Sequence, residues 1–482
     1  MPSETVSSPE RPIDASAPLG QAAIPGPAPM PLLGSRGNLV RFLLDPIAYM
    51  RMLHRDYGAI ASFVRGGSGI IFAFGPEYNK QILSDPARYY STGITMPGPS
   101  DSPQRHLGFG LLSMNGPQHQ WHRRLVMPMF YRKQVESYRE TIAAIIDENL
   151  AGWRPGRLNV WRALQQLTRR ITSRVLFGLE DPREGEALGC MMERWLQMNT
   201  SFLVRLAPVD RPGSSYRRML AYARRLEQQV RNLIELKRPH AARSSDVLSL
   251  LIQATHEDGS ALTDEELIGQ INILFGAAHV TTTDALSWTC FLLSQHPAVY
   301  ADLVDELDGV LHGGLPTTEQ FAQLPLLERV IKESLRLLPP PVYNCRLTTA
   351  PTTLGPYQLP AGSTVAFSHY ITHHMPELFP RPEAFQPDRW LTAAPSPYAY
   401  IPFGAGPRMC IGEPFAQSSM RLILSAVLQR FRLSCLPGTR IDRRVTITLS
   451  PKHGLPMEVV PQDRQFRRVP VRGNIHEMVE LE

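Results

Sequence analysis

Near the C-terminal end one cysteine stands in a glycine-rich stretch, Phe403-Gly-Ala-Gly-Pro-Arg-Met-Cys410-Ile-Gly412, with an arginine two positions before it. Residues of these types at this spacing suit the presentation of a single thiolate to a metal from one side. The glycines allow tight turns and close approach, and the N–H groups of the turn can point at the sulfur. A helical run predicted from Glu413 to Phe431 adds partial positive charge at its N-terminal end, which favours the anion. Arg408 can meet a carboxylate as a bidentate donor. The plainer alternative is a buried structural cysteine in a turn. Against it, six positions are specified together (Phe403, Gly404, Gly406, Arg408, Cys410 and Gly412). At roughly one in twenty per position, a chance match is on the order of 10⁻⁵ in a chain of this length.

A second stretch stands out by its length and composition. Thr263-Asp-Glu-Glu266 forms a capping box, no proline interrupts the run to His296, and Pro297 stops it. More than about thirty helical residues reach roughly 50 Å. The run is apolar nearly all round, which predicts a helix through the interior. Its middle reads Phe275-Gly-Ala-Ala-His-Val-Thr281-Thr-Thr-Asp284. The small residues leave room for a flat ring against the backbone, and the Thr281 hydroxyl is placed to bond the carbonyl of Ala277 and loosen the helix there. Bonding to backbone is also what an ordinary helix threonine does.

Two further elements carry charge. Gly116-Pro-Gln-His119-Gln-Trp-His-Arg123-Arg124 opens a helix, with His119 and Arg123 on one face; an exposed basic helix start would read the same. Leu327, Ile331, Leu335 and Leu338 stripe a helix ended by Pro339 and Pro340, and on it Glu333 and Arg336 are three apart. Such a pair alone is weak evidence, because most are surface decoration. It precedes Pro382-Glu-Ala-Phe385-Gln-Pro-Asp-Arg389-Trp390.

In this order the stretches resemble the cytochrome P450 monooxygenases, over about residues 25–460. The resemblance implies a mainly α fold with small β-sheets, a single large domain holding heme b (iron protoporphyrin IX) between the long central helix and the cysteine loop. The domain plan is a flexible Pro/Ser/Ala-rich arm over 1–29, the heme domain over 30–460 and a C-terminal tail over 461–482. Cys410 would be the axial iron ligand, with Phe403, Gly404, Arg408 and Gly412 around it. His119, Arg123 and Arg346 would take the heme propionates, Ala277 and Ala278 would lie against the ring, and Thr281 would help deliver protons to dioxygen. Glu333, Arg336 and Arg389 match the family's buried structural triad. Two departures stand out: Ala278 replaces the usual glycine, and Val280 the usual acid. The missing acid removes the normal proton path. Asp284, one turn beyond Thr281, is a candidate to compensate; a solvated or capping aspartate is the alternative.

Elsewhere the pattern predicts a hairpin over Ala59–Phe74 around a Gly67-Ser-Gly69 turn and a long irregular loop from Tyr89 to Leu112. Residues Gln134–Lys237 read as mostly helical, broken near Pro208, Pro212 and Gly213; the family uses this region as a mobile lid. Phe109, Phe202, Phe275 and Val342 are candidate pocket residues, with Trp195, Met198, Pro341 and Tyr343 beside them. Met and aromatic stripes are more often plain core.

Composition limits the alternatives. Fifty Lys and Arg against 44 Asp and Glu give +6, a mild excess without a long basic run. That fits an acidic protein partner better than nucleic acid. Five cysteines without CxxC pairing argue against disulfides, zinc and iron–sulfur sites and for a reducing, cytoplasmic setting. No apolar run near the N-terminus approaches membrane-spanning length, so no membrane anchor is expected. The family pattern fills nearly the whole chain, so electrons would come from a separate ferredoxin or flavodoxin with its reductase, docking near Arg132, Lys133 and Arg421. The implied reaction inserts one oxygen atom from O2 into a largely apolar small molecule, in a secondary-metabolic role. Val280 keeps open an O2-independent isomerase or dehydratase, or a peroxide-driven oxygenase. A non-catalytic heme sensor is the reading from another class.

Overall fold

The computed structural model describes residues 23–66 and 69–481. Residues 1–22 of the arm, and Gly67 and Ser68 of the expected turn, lie outside the described residues. In chain order the helices are α1 (Gly34–Leu44), α2 (Pro46–Tyr57), α3 (Pro76–Ser84), α4 (Pro103–Gly108), α5 (Gly116–Val126), α6 (Arg132–Ser137), α7 (Arg139–Ala151), α8 (Val160–Phe177) and α9 (Pro182–Asn199). Then come α10 (Phe202–Leu206), α11 (Ser215–Lys237), α12 (Val247–Gln253), α13 (Asp264–Gln295), α14 (Pro297–Leu311), α15 (Pro325–Leu337), α16 (His369–His373) and α17 (Glu413–Arg430). Proline in the first turn opens many of these, where its missing N–H costs nothing.

The largest sheet joins β1 (Ile60–Ser62), β2 (Ile70–Ala73), β3 (Tyr89–Ser91), β5 (Tyr343–Thr348) and β8 (Thr364–Ser368) in the order β1-β2-β8-β5-β3. β1 and β2 pair antiparallel, the expected hairpin. A three-stranded sheet places β12 (Pro456–Pro461) between β4 (Gly156–Asn159) and β9 (Phe431–Cys435). Two small hairpins, β6 (Thr352–Leu354) with β7 (Tyr357–Leu359) and β10 (Arg443–Val445) with β11 (Leu449–Pro451), complete the strands.

The body begins earlier than the expected boundary at 30. Ile24 is buried, and Pro25 and Pro27 accept hydrogen bonds from the N–H groups of Ser62 and Arg65, so residues 24–29 run beside β1 as an extended strip. The described part of the tail, 461–481, is part of the core as well. Val471, Ile475, Met478 and Val479 are buried in the main apolar cluster, and Arg432 holds Asp463. Its apolar residues follow neither a helical nor a strand period, which left them silent in the sequence.

α13 spans the interior as expected. Thr263 Oγ1 accepts from the Glu266 N–H, and the Glu266 carboxylate accepts from the Thr263 N–H. Against it, the loop after β3 comes close enough for backbone to meet backbone. A Cβ on Gly269 would lie 1.8 Å from the Phe109 carbonyl oxygen, and one on Gly110 would lie 2.6 Å from that of Gly269. Asn272 donates to Leu107 and Gln270 accepts from Leu111 across the same contact. Gly269→Ala is therefore expected to cost roughly 1–3 kcal/mol, as overpacking does, seen as a lower denaturation midpoint at unchanged slope. A midpoint equal to wild type would show that the loop yields freely.

The loop is also tied to α9. Buried Gln104 takes the Trp195 indole N–H, donates to Asn199 Oδ1 and to the Met96 carbonyl, and Asn199 accepts the Met96 N–H. Trp195, a pocket candidate, is thus a fully buried strut.

Candidate functional site

The cysteine turn is built by glycines that supply left-handed backbone: φ is +73° at Gly404 and +70° at Gly406. Gly406 is further constrained, since a Cβ there would meet the Leu83 carbonyl oxygen at 2.3 Å. The Cys410 N–H closes the turn on the Phe403 carbonyl, and α17 starts at Glu413. Burial raises the Cys410 thiol pKa, but the N–H groups of Gly412 and Glu413 and the charge of Arg123 pull it down. Cys410 is nonetheless exposed. Protein surrounds it all the same, which marks a hollow beside the turn.

The middle of α13 is accessible in the same way. The helix is buried on either side, yet Gly276, Ala278, Val280 and Thr281 are partly accessible and Ala277 is exposed. Thr281 donates to the Ala277 carbonyl at 2.7 Å, and Thr282 and Thr283 do the same to Ala278 and His279. Three consecutive hydroxyls thus compete for the helix's own carbonyls.

Beside the cysteine turn lies a group of cations facing one another. Burial and the charges of Arg408, Arg123 and Arg346 push the His119 ring down to about 4. Burial, with neighbouring arginines, takes Arg408 to about 10; burial alone takes Arg346 to about 10 and lowers Arg123. Arg408 is aimed by the Asn115 side chain and the carbonyls of Met114 and Leu111, and Arg346 lies over the Phe367 ring. Among the described residues none of the four meets a carboxylate in an ion pair. Such a cluster is stable only when anions enter it. A thiolate donor, a methyl-lined helix opposite and four cations at the edge together fit a flat iron porphyrin carrying two propionates.

The family comparison decides the identity: the family model described as Cytochrome P450 matches residues 24–455. The chain belongs to the cytochrome P450 family. It is an oxidoreductase of the monooxygenase type with a heme-thiolate cofactor. Cyclooctat-9-en-7-ol 5-monooxygenase of Streptomyces melanosporofaciens is 33% identical over 90% of this chain and 95% of its own. Pentalenene oxygenase of Streptomyces avermitilis is 29% identical over 86% of this chain and 92% of its own. Among solved structures, a cyanobacterial P450, CYP120A1, with bound retinoic acid superposes with a TM-score of 0.80 at 26% identity, covering 91% of this chain and 98% of that one. No helix among the described residues is long and apolar enough to cross a membrane.

Behind this P450's cysteine turn, Glu333 accepts from Arg336 through both oxygens at 2.9 Å, from Arg389 at 2.8 Å, from the Gln386 N–H and from the Trp390 indole. Glu333 and Arg336 are fully buried. A surface pair is thereby excluded.

Several sequence expectations need correction. Phe275 stacks on Phe177 in the core and Val342 is buried with its carbonyl bonded to Ser368, so neither lines the hollow. Phe202 is exposed on α10, whereas Phe109 is half-buried at the end of α4. Arg421 is committed to Glu328 and stacked on Phe321, unlike the exposed Arg132 and Lys133. Asp284 is neither solvated nor a cap: its carboxylate accepts from the Trp161 indole at 2.8 Å and the Thr448 hydroxyl at 2.6 Å. Sequence reasoning missed a second buried acid. Glu193 sits between Arg169 and the His279 ring, whose Nε2 is 2.5 Å away, and burial favours the neutral form of both Glu193 and His279. His279 beside an acid-free Val280 was the available signal.

Burial pushes the Asp284 carboxyl up to about 7. A raised carboxyl binds its proton more tightly folded than unfolded, so stability falls as pH rises from about 4 to 7. Asp284→Asn is expected to remove that part of the slope in denaturation midpoints across this range. An unchanged slope would contradict the assignment.

Proposed function

We propose a monooxygenase that inserts one oxygen atom from O2 into a largely apolar terpene-like substrate, using heme b and electrons from a separate ferredoxin or flavodoxin with its reductase. The reading is supported by two features: an exposed cysteine in a glycine-built turn, and an accessible, uncharged, small-residue middle in the otherwise buried α13. The relatives named for cyclooctat-9-en-7-ol and pentalenene support the substrate class.

When bound, the heme supplies oxygen activation, with the cysteine thiolate pushing electron density toward iron to favour O–O cleavage. The chain does the rest. Cys410 is held as the anionic ligand by the N–H groups of Gly412 and Glu413 and by Arg123. His119, Arg123, Arg346 and Arg408 bind the propionates. The methyls of Ala277 and Ala278 set the ring's distance from α13. Thr281 Oγ1 holds a proton on the Ala277 carbonyl and passes one on. Val280 has none to give, and Asp284 is turned to Trp161 and Thr448, so water replenishes Thr281.

The test is turnover of cyclic terpenes by the purified holoenzyme with NADPH and surrogate ferredoxin and reductase. Products one oxygen heavier, labelled from ¹⁸O2 and absent without NADPH, are expected. Val280 favours one rival, an O2-independent isomerase or dehydratase. Turnover needing neither oxygen nor NADPH would establish that reading instead.

A further inference from the structure

Arg205 stands on α10, between Val204, which is buried against Tyr216, Met219 and Leu220, and Leu206, which is exposed. Arg205 is half-buried and comes near β5, within electrostatic range of Tyr343 and Cys345. Tyr343 and Cys345 alternate with Asn344 and Arg346 and so share one face of the strand. Both remain partly accessible although protein surrounds them. The Phe42 ring of α1 closes the far side of Tyr343 at 5.4 Å. The opposite strand face delivers Arg346 to the cation group.

The charge on Arg205 has no match among the described residues. Arg217 on the next helix has Asp210, and Arg169 on α8 has Glu186 and Glu193; Arg205 has no carboxylate within ion-pair distance. With Tyr343 close by, its five N–H donors can still serve a bidentate partner. The accessible residues in the middle of α13 carry no charge. The four cations near Cys410 are taken up by propionates on the reading above. Holding a guanidinium partly out of water beside apolar surface is costly unless an anion or strong acceptor meets it.

We propose that Arg205 and Tyr343 form a carboxylate anchor under α10, so that the substrate is an apolar skeleton ending in an acid group. The inference rests on the monooxygenase reading and narrows it. A carboxylate fits the guanidinium fork as a bidentate acceptor and takes the Tyr343 hydroxyl as a third donor.

The experiment is a spectral binding titration of the holoenzyme with geranylgeranoic acid and with its methyl ester, which share one hydrocarbon and differ in charge. The acid is expected to bind about ten- to a hundredfold tighter, the size of a charge-assisted contact. In Arg205→Gln that ratio should fall to about one, and in Tyr343→Phe it should fall part of the way. An acid that binds no tighter than its ester, or does not bind, overturns the anchor. So does an Arg205→Gln variant that weakens acid and ester alike, because Arg205 is then a latch between α10 and β5. The enzyme reading fails separately, by loss of the thiolate signature in the reduced carbon-monoxide spectrum.

Discussion

Cys410→Ser is expected to abolish the red-displaced Soret band of the reduced carbon-monoxide complex and to take NADPH-dependent turnover to background, while the chain stays folded. The argument starts from the five thiols. Burial pushes Cys290 up to about 12 and Cys345 and Cys435 up to about 11, and raises exposed Cys190 as well. Those four favour the neutral thiol. Cys410 is also raised by burial, but it alone has peptide N–H groups at its sulfur, from Gly412 and Glu413, with Arg123 nearby. These hold an anion in place once a metal takes the proton's position. A serine hydroxyl has nearly the same volume and cannot ionise at neutral pH, so the turn through Gly404 and Gly406 persists without its ligand. Cys190→Ser, on the outer side of α9 beside Glu186, is the control expected to keep the band. A normal band in Cys410→Ser would move the ligand elsewhere and undo the site as described.

The parts of this site that were legible in sequence are those specified by local spacing. The turn around Cys410, the capping box of α13, the stop at Pro297 and the i, i+4 bond from Thr281 to Ala277 each involve residues within a few positions of one another. The illegible parts are long-range. Asp284 read as a free or capping aspartate because its partners Trp161 and Thr448 are 123 and 164 positions away. Phe275 read as pocket because a helix pattern shows which faces are apolar, not which face meets Phe177. Trp195 was open between pocket and plain core, and its core partner could not be read locally: its indole N–H goes to Gln104, across 91 positions. The tail is the extreme case. Val471, Ile475 and Met478 are buried without any periodicity, held by packing on a body already formed.

The largest stability effect is expected at Arg336, and it separates a buried network from a surface pair of similar appearance. All five of its N–H donors are engaged. Two go to Glu333, and the others reach the carbonyls of His373, Pro382 and Ala384. These carbonyls belong to the last residue of α16 and to the stretch leading to Arg389, so one guanidinium ties α15 to both. Arg336→Leu leaves Glu333 buried with three of its five hydrogen bonds and strips the carbonyls of His373 and Pro382 of their guanidinium donor. Breaking such a pair from one side costs roughly 3–5 kcal/mol, a large share of the about 5–15 kcal/mol that holds a domain together. Arg336→Lys should do little better, since an ammonium cannot reproduce a planar fork serving Glu333 and three carbonyls at once. The expected result for both is low heme content per chain and a strongly lowered denaturation midpoint. Arg464→Ala, which removes an exposed arginine paired with Asp305 and Asp308, should leave both readings unchanged, because water replaces what the pair supplied. If Arg336→Leu instead gave wild-type heme content and midpoint, the network would be incidental, and the position of the cysteine turn would have to come from packing alone.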